Sequence, residues 1–412
     1  WQNDKSIIMK KNVSKKNIVG CIYVFFLKKL GFLLSHLSHG EQYIIFESIP
    51  DYTGSPKMIC LEMEKRGLRR RYTFVWAVDK KQKCFFRDYD CVPFFGKLSF
   101  FERIKKNIIE WNAVLIIGNN RPVLKTNKRT LRLYTEHGGP LKQCTRLMRQ
   151  IGSVDYILSL SDNLSKFDYK IFAPDVIKDV KQILITGHPG NDELFMNAQT
   201  SAFWTKMLKY EKKTDFSKII GWFPTFRQRV RNCGDDLYSV FPFGVPILKN
   251  EEELITLNDH LRKNRVLLLI QIHHAQKKVY SIVNLSNIVV VEQNIKDECG
   301  VTNANLMHDI DALITDYSAA YHEFLLLNRP IAITIDDYGD YLEQVGFCFD
   351  FFEYIKGFYV KNIEDLKRFI DETANGIDSS HDLRLESLKK IHKYADGNST
   401  RRVVDFICKK IN

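Results

Sequence analysis

Asp311-Ala312-Leu313-Ile314-Thr315-Asp316-Tyr317-Ser318-Ala319-Ala320 reads as a strand, a short turn and the start of a helix. The helical pattern continues through Phe324 to Leu327 and stops before Pro330. A short, wholly apolar strand feeding a helix is the unit of parallel sheets covered on both faces. Downstream and upstream of this stretch the unit repeats, with apolar strands expected at 218–223, 266–270, 288–291 and 331–335. The polar run Glu211-Lys212-Lys213-Thr214-Asp215 precedes that series and marks a boundary. Before it lies a second series, with strands expected at 43–46, 72–78, 113–117, 131–135, 156–160 and 182–186. Ser55 and Pro56 open a helix after the first of these strands.

The pattern predicts an α/β chain of two Rossmann-like domains facing across a cleft, at 41–215 and 216–395. Residues 396–412 form a closing helix, with Ser399 or Thr400 as its cap and Val403, Val404, Phe406, Ile407 and Ile411 as its apolar side. Residues 1–40 are a basic, partly apolar N-terminal segment with seven Lys and one Asp. Its longest apolar run, 18–27, is too short for the about 20 residues that cross a bilayer. It is expected either to pack as a first helix or to lie on an anionic membrane surface.

The 412 residues are 45% hydrophobic and 12% aromatic, which excludes collagen, wholesale disorder and a disulfide miniprotein. Lys+Arg number 61 against Asp+Glu 49, a net charge of +12 that favours anionic partners. The nine Cys contain no CxxC pair, so free structural thiols in a reducing, cytoplasmic compartment are expected.

Candidate chemistry sits where strands run into loops. Thr135-Glu136-His137-Gly138-Gly139-Pro140-Leu141-Lys142 has two glycines that let a substrate approach. His137 at this junction is either a general base for an attacking hydroxyl or a satisfied structural histidine. In the 186–195 turn, Asn191 and Asp192 either fix a hydroxyl or cap the following helix. Arg227 follows a strand and Pro224, where it can bind a phosphate oxygen. His273 and His274 end the strongest strand of the second half and point to opposite sides, so only one faces the cleft. Ser318 stands at a helix start able to seat a diphosphate, and also reads as a plain N-cap. Glu323, one turn along, either accepts from a hydroxyl or lies on the surface. No GxxxxGK[ST], HExxH or GxSxG motif is present, which argues against a P-loop triphosphatase, a zinc protease and an α/β hydrolase. Asp309-Ile310-Asp311 and Asp336-Asp337 offer oxygen ligands of the kind Mg²⁺ takes, but neither signal is long enough to predict a metal site.

Taken together, these motifs resemble the CDP-glycerol glycerophosphotransferase family, the polymerases and primases of teichoic acids and related capsules. The resemblance is carried by Phe46-Glu47-Ser48 through Ser55-Pro56-Lys57, the 137–142 and 187–192 stretches, Pro224-Thr225-Phe226-Arg227, His273, the 313–318 stretch, and Asp396-Gly397 with Arg401, Arg402 and Val403. It covers about residues 41 to 410 in the expected order. It departs from the family pattern in having Glu136 for tryptophan, Gly139 for threonine, Gly190 for arginine and Gln271 for a basic residue.

The resemblance implies a GT-B fold, with the acceptor entering over the first domain and the nucleotide donor held mainly by the second. His137 matches the proposed base and His273 a donor-phosphate histidine. Arg227, Thr315, Asp316, Ser318 and Glu323 fall on the donor side. Lys142, Asn191 and Asp192 fall on acceptor-side or structural positions. The donor implied is CDP-glycerol or CDP-ribitol. The acceptor is an anionic polyol-phosphate polymer or glycolipid at the inner membrane face. Arg69 to Arg71, then Arg121, Lys125, Lys128, Arg129 and Arg132, then Lys142, Arg146 and Arg149 suggest a basic track for that acceptor. Nucleic acid is disfavoured because no recognition helix or finger accompanies the charge. The alternatives are a GT-B glycosyltransferase using a nucleotide sugar and a non-catalytic polyanion-binding scaffold.

Overall fold

The computed structural model describes residues 26–27, 29–34, 41–80, 89–120, 127–136, 138–142, 154–171, 180–209, 211–225, 241–272, 282 and 285–411. His137, Arg227 and His273 lie outside the described residues.

Two parallel sheets organise the chain. The first contains β1 (Tyr43–Glu47), β2 (Thr73–Asp79), β3 (Asp90–Phe95), β4 (Ala113–Gly118), β5 (Leu131–Tyr134), β6 (Tyr156–Ser159) and β7 (Gln182–Ile185), in the order β3-β2-β1-β4-β5-β6-β7. The second contains β8 (Lys218–Trp222), β9 (Val266–Ile270), β10 (Ile288–Val290), β11 (Ala312–Thr315), β12 (Ile331–Thr334) and β13 (Phe358–Val360), in the order β10-β9-β8-β11-β12-β13. Both sheets therefore reverse strand order at one place, between β1 and β4 and between β8 and β11, and ligands of open α/β sheets bind at such reversals.

The central strands are buried on both faces: all five residues of β9 are inaccessible, as are Ile44, Ile45 and Phe46 of β1. That explains their continuous apolar runs. β3 and β13, which the sequence reading omits, are edge strands. β3 carries Asp90 and Pro93, and an edge tolerates the donor that proline lacks. β13 is only three residues long.

The halves share packed surface. One apolar cluster joins Tyr134, Leu141, Leu160, Leu194 and Phe203 to Ile219, Leu269, Tyr317 and Phe324. The chain also returns to its first half: the helix Ser399–Ile411 lays Val403, Val404 and Ile407 against Ile44, Phe46, Ile59 and Met63. Its first turn is held by Asp192, which accepts from Ser399 N–H (3.1 Å) and Thr400 N–H (2.7 Å). The cap is thus real but serves a helix 200 residues away in sequence rather than the following one.

Three expectations are corrected or completed. Arg132 is not part of a surface track: it is 2% exposed within β5, where burial pulls its pKa down to about 10 against the opposing influence of Glu47. Cys91 is disulfide-bonded, whereas Cys60, Cys299, Cys348 and Cys408 are free. No helix among the described residues is long and apolar enough to cross a membrane.

Replacing the Asp192 cap removes the acceptor of two buried amides. Asp192→Ala should lower unfolding free energy by about 1–3 kcal/mol, with Asp192→Asn retaining part of it, as read from urea denaturation.

Candidate active site

The strand reversal of the second sheet is built by polar side chains used inward. Thr315 Oγ1 donates to the Phe223 carbonyl (2.8 Å), and Asp316 accepts from Thr225 N–H (2.8 Å). Both residues are fully buried. Thr315 and Asp316 therefore lock the end of β11 to the end of β8 and form the floor of the crevice. Ser318 Oγ accepts from Ala320 N–H (3.3 Å), the first amide of the short helix Ala320–Leu325, whose N-cap position is Ala319. Gln271, just beyond β9, donates its N–H to the Trp222 carbonyl (2.9 Å).

Onto this floor comes the turn that follows β5. Gly138 and Gly139 have φ of 95° and 78°, a region other residues avoid. A β-carbon at Gly138 would collide with the Ala319 side chain, and one at Gly139 would lie 2.9 Å from Leu160 Cδ1. The close approach is fixed by His322, whose Nδ1 lies 2.8 Å from the Gly138 carbonyl oxygen. A carbonyl only accepts, so Nδ1 carries the proton. His392 Nε2 in turn donates to the His322 carbonyl (2.7 Å). Burial pulls the pKa of His322 down to about 4 and that of His392 down to about 3, so both are neutral at physiological pH. Beyond the glycines, Lys142 forms an antiparallel bridge with Phe347, and its Nζ donates to Thr225 Oγ1 (3.5 Å). The turn of the first sheet is thereby fastened to β8 and to the helix after β11.

Glu323 lies beside this junction, its Oε1 3.8 Å from where a Gly138 β-carbon would stand. It is partly buried, and burial followed by the nearby Glu193 carboxylate pushes its pKa up to about 7. Glu193 itself joins the halves, pairing with Lys57 (3.2 Å) and accepting from Thr302 Oγ1 (3.0 Å). Asn191, buried in the same 3₁₀ turn, donates its N–H to the His188 carbonyl (3.0 Å). Asn191 and Asp192 thus belong to a hub between the halves and the C-terminal helix.

A second acidic pair stands behind the turn. Glu136, at φ 52°, and Asp168, on the helix Asp162–Ile171, are both buried. Burial pushes Asp168 up to about 7, with Ser159 opposing, and also holds Glu136 well above the usual carboxylate range, with Asp168 adding to the effect. Sequence reasoning assigned no role to Glu136, Asp168, Glu193, His322 or His392. Glu136 alone had a signal, as an acid inside the quoted glycine turn.

The Asp pairs considered for Mg²⁺ are engaged otherwise. Asp309 accepts from Trp204 Nε1 (2.6 Å) and pairs with Lys213 (3.2 Å), and Asp311 pairs with Lys218 (3.2 Å). Asp336 accepts from Ile247 N–H (3.2 Å) and Asp337 from the Tyr317 hydroxyl (3.0 Å). Among the described residues, no three His, Cys, Asp or Glu side chains are grouped to hold a metal ion.

Two parallel sheets, each reversing at its centre and joined by a glycine turn, define a GT-B enzyme. The chain belongs to the CDP-Glycerol:Poly(glycerophosphate) glycerophosphotransferase family, whose sequence profile matches residues 31–409. It is 24% identical over 400 residues to a teichoic acid poly(glycerol phosphate) polymerase of Bacillus spizizenii, covering 90% of this chain and 93% of that protein. It is 26% identical to a teichoic acid glycerol-phosphate transferase of Staphylococcus aureus, covering 97% and 100%. The solved structure of the wall teichoic acid polymerase TagF superposes with a TM-score of 0.68 at 19% identity, covering 95% of this chain and 96% of that one.

Two outcomes follow from this geometry. His322→Ala should lower kcat at least about tenfold with little change in donor KM, because the glycine turn loses its tether, and His322→Asn should restore part of the loss. For Asp168, the folded-state pKa lies above the unfolded value near 3.9, so the folded protein binds the extra proton and stability falls as pH rises from about 4 to about 7. Asp168→Asn should remove up to about 1.4 kcal/mol per pH unit from that slope, as read from denaturant melts at pH 5 to 8.

Proposed function

We propose that this enzyme transfers glycerol phosphate, or another polyol phosphate such as ribitol phosphate, from a CDP-polyol to a hydroxyl of a cell-surface polymer or its lipid-linked precursor. The acceptor oxygen attacks the polyol-bearing phosphorus, the bond from that phosphorus to the CMP oxygen breaks, and CMP leaves. The first domain, 41–215, handles the acceptor and the second, 216–395, the donor. His137 takes the hydroxyl proton. His273, Arg227 and the Ser318 turn oppose charge on the diphosphate, while Thr315 and Asp316 keep that turn in register. Glu323 accepts from a donor or acceptor hydroxyl. Lys142, held at Thr225, lends positive charge on the acceptor side.

One observation carries this reading. The glycine turn that includes His137 in sequence is tethered at Gly138 to the helix that follows Ser318. A convergence of loops from both sheets supports a reading in which acceptor and donor share one crevice.

Work at the cytoplasmic face of the membrane, in cell-envelope or capsule synthesis, fits the N-terminal segment. Phe26, Phe32 and Leu33 are exposed on a helical stretch tied to the helix Phe100–Asn112 through Asn107 Nδ2–H and the Leu27 carbonyl (3.1 Å). Phe100 and Phe101 are exposed at the start of that second helix. Aromatic groups among lysines suit an anionic lipid surface.

A panel of CDP-glycerol, CDP-ribitol and nucleotide sugars, with mass spectrometry of a defined acceptor, tests the reaction. CMP release with a polyol-phosphate mass increment is expected, and UDP or GDP release would overturn the proposal. His137→Ala should cut turnover about 10²–10⁴-fold while CDP-polyol affinity by calorimetry stays within about twofold.

A further inference from the structure

Among the described residues, Lys296 is a buried cation without an anion. It lies on the helix Gln293–Glu298 and is only 6% exposed. Its ammonium donates to Gln271 Oε1 (3.4 Å) and to Asn303 Oδ1, both oxygens of neutral amides. Among the described residues, no carboxylate lies within ion-pair distance of it. Asp297, its neighbour on the helix, favours the charge less than burial opposes it, and Glu298 pairs instead with Lys206 (2.9 Å). Withdrawing an ammonium from water is costly, and amide dipoles return only part of its hydration. Burial accordingly lowers its pKa to about 8.

The place of this charge is informative. Gln271 follows β9 directly and is bonded to the end of β8, beside the strand reversal. It stands two positions before His273. Asn303 is exposed, and its neighbour Thr302 donates to Glu193 of the first half. Lys296 thus links the residue just beyond β9, beside the strand reversal, to the neighbour of a residue that contacts the first half. A lysine serving only to fill space has no reason to bring its charge there. One that completes its coordination with an incoming anion does.

We propose that Lys296 is a phosphate-binding cation of the interdomain crevice, held ready by Gln271 and Asn303 and neutralised by a phosphate group of the substrate. The donor diphosphate and the phosphodiesters of the acceptor share this chemistry. The inference rests on the transferase reading for the identity of the nucleoside but not for the phosphate.

Calorimetric titration of the wild type, Lys296→Met and Lys296→Arg with pyrophosphate, CDP, cytidine and a glycerol phosphate oligomer tests it. Lys296→Met should weaken pyrophosphate and CDP about tenfold to hundredfold, leaving cytidine unchanged, and Lys296→Arg should stay within about threefold of the wild type. A loss confined to the oligomer supports the phosphate site and assigns it to the acceptor. Equal binding of every phosphate by wild type and a folded Lys296→Met, or an equal loss for cytidine, overturns the proposal. So does a wild type that binds none of the phosphates. Lys296→Gln, which keeps a polar group among the amides, serves if the methionine variant does not fold. Pyrophosphate binding without any preference for CDP over other nucleoside diphosphates would sink the CDP-polyol reading and leave the Lys296 site standing.

Discussion

The contact between the Gly138 carbonyl and the neutral imidazole of His322 sets the relation of the two halves at the crevice. It requires three things at once. Gly138 must adopt a positive φ, Ala319 must be small enough to let the backbone in, and His322 must stay uncharged. Burial supplies the last condition, because an imidazolium there would have to carry its charge without water. With the turn seated, Leu141 and Lys142 fall into place against Phe347, Cys348 and Thr225. Loops that belong to different sheets are thereby fastened to one another.

Ionisable side chains gather around that joint. Buried Glu136 and Asp168, the partly buried Glu323 beside Glu193, and Lys296 among amides sit near the ends of strands rather than within the sheets. Shifted groups gather where chemistry is done, since proton transfer and anion binding need groups poised near neutrality. The first sheet illustrates the alternative. Glu47 is just as deeply buried, but its carboxylate accepts from Asn119 N–H (3.2 Å) and Asn120 N–H (3.1 Å) and closes the end of β4.

The sequence was informative where physics is local. β9 and β11 announced themselves through unbroken apolar runs, and β3 escaped because an edge strand can hold Asp90 and Pro93. Ser318 was legible as a residue of the helix start because it is two residues from the amide it serves, although the N-cap position itself is Ala319. Asp192 was legible as a capping residue, but its partner helix begins at Ser399, and no spacing rule spans that distance. His322 and Lys296 looked like ordinary helical residues, because their meaning comes from Gly138 and Gln271, which other parts of the chain deliver. Arg132 misled in the opposite way: its charge suggested a surface, while its place between β4 and β6 buries it.

The helix Ser399–Ile411 has a bearing on how the protein is made. Ile44 and Phe46 lie in the first strand, yet part of their cover is Val403, Val404 and Ile407. The N-terminal sheet can gather its own strands as they emerge from the ribosome, but one flank stays greasy and open until residues 399–411 have been synthesised. Its completion is therefore a late event, because the strands of the second sheet are synthesised in between. During translation the half-built enzyme presents a sticky surface, the kind that chaperones hold.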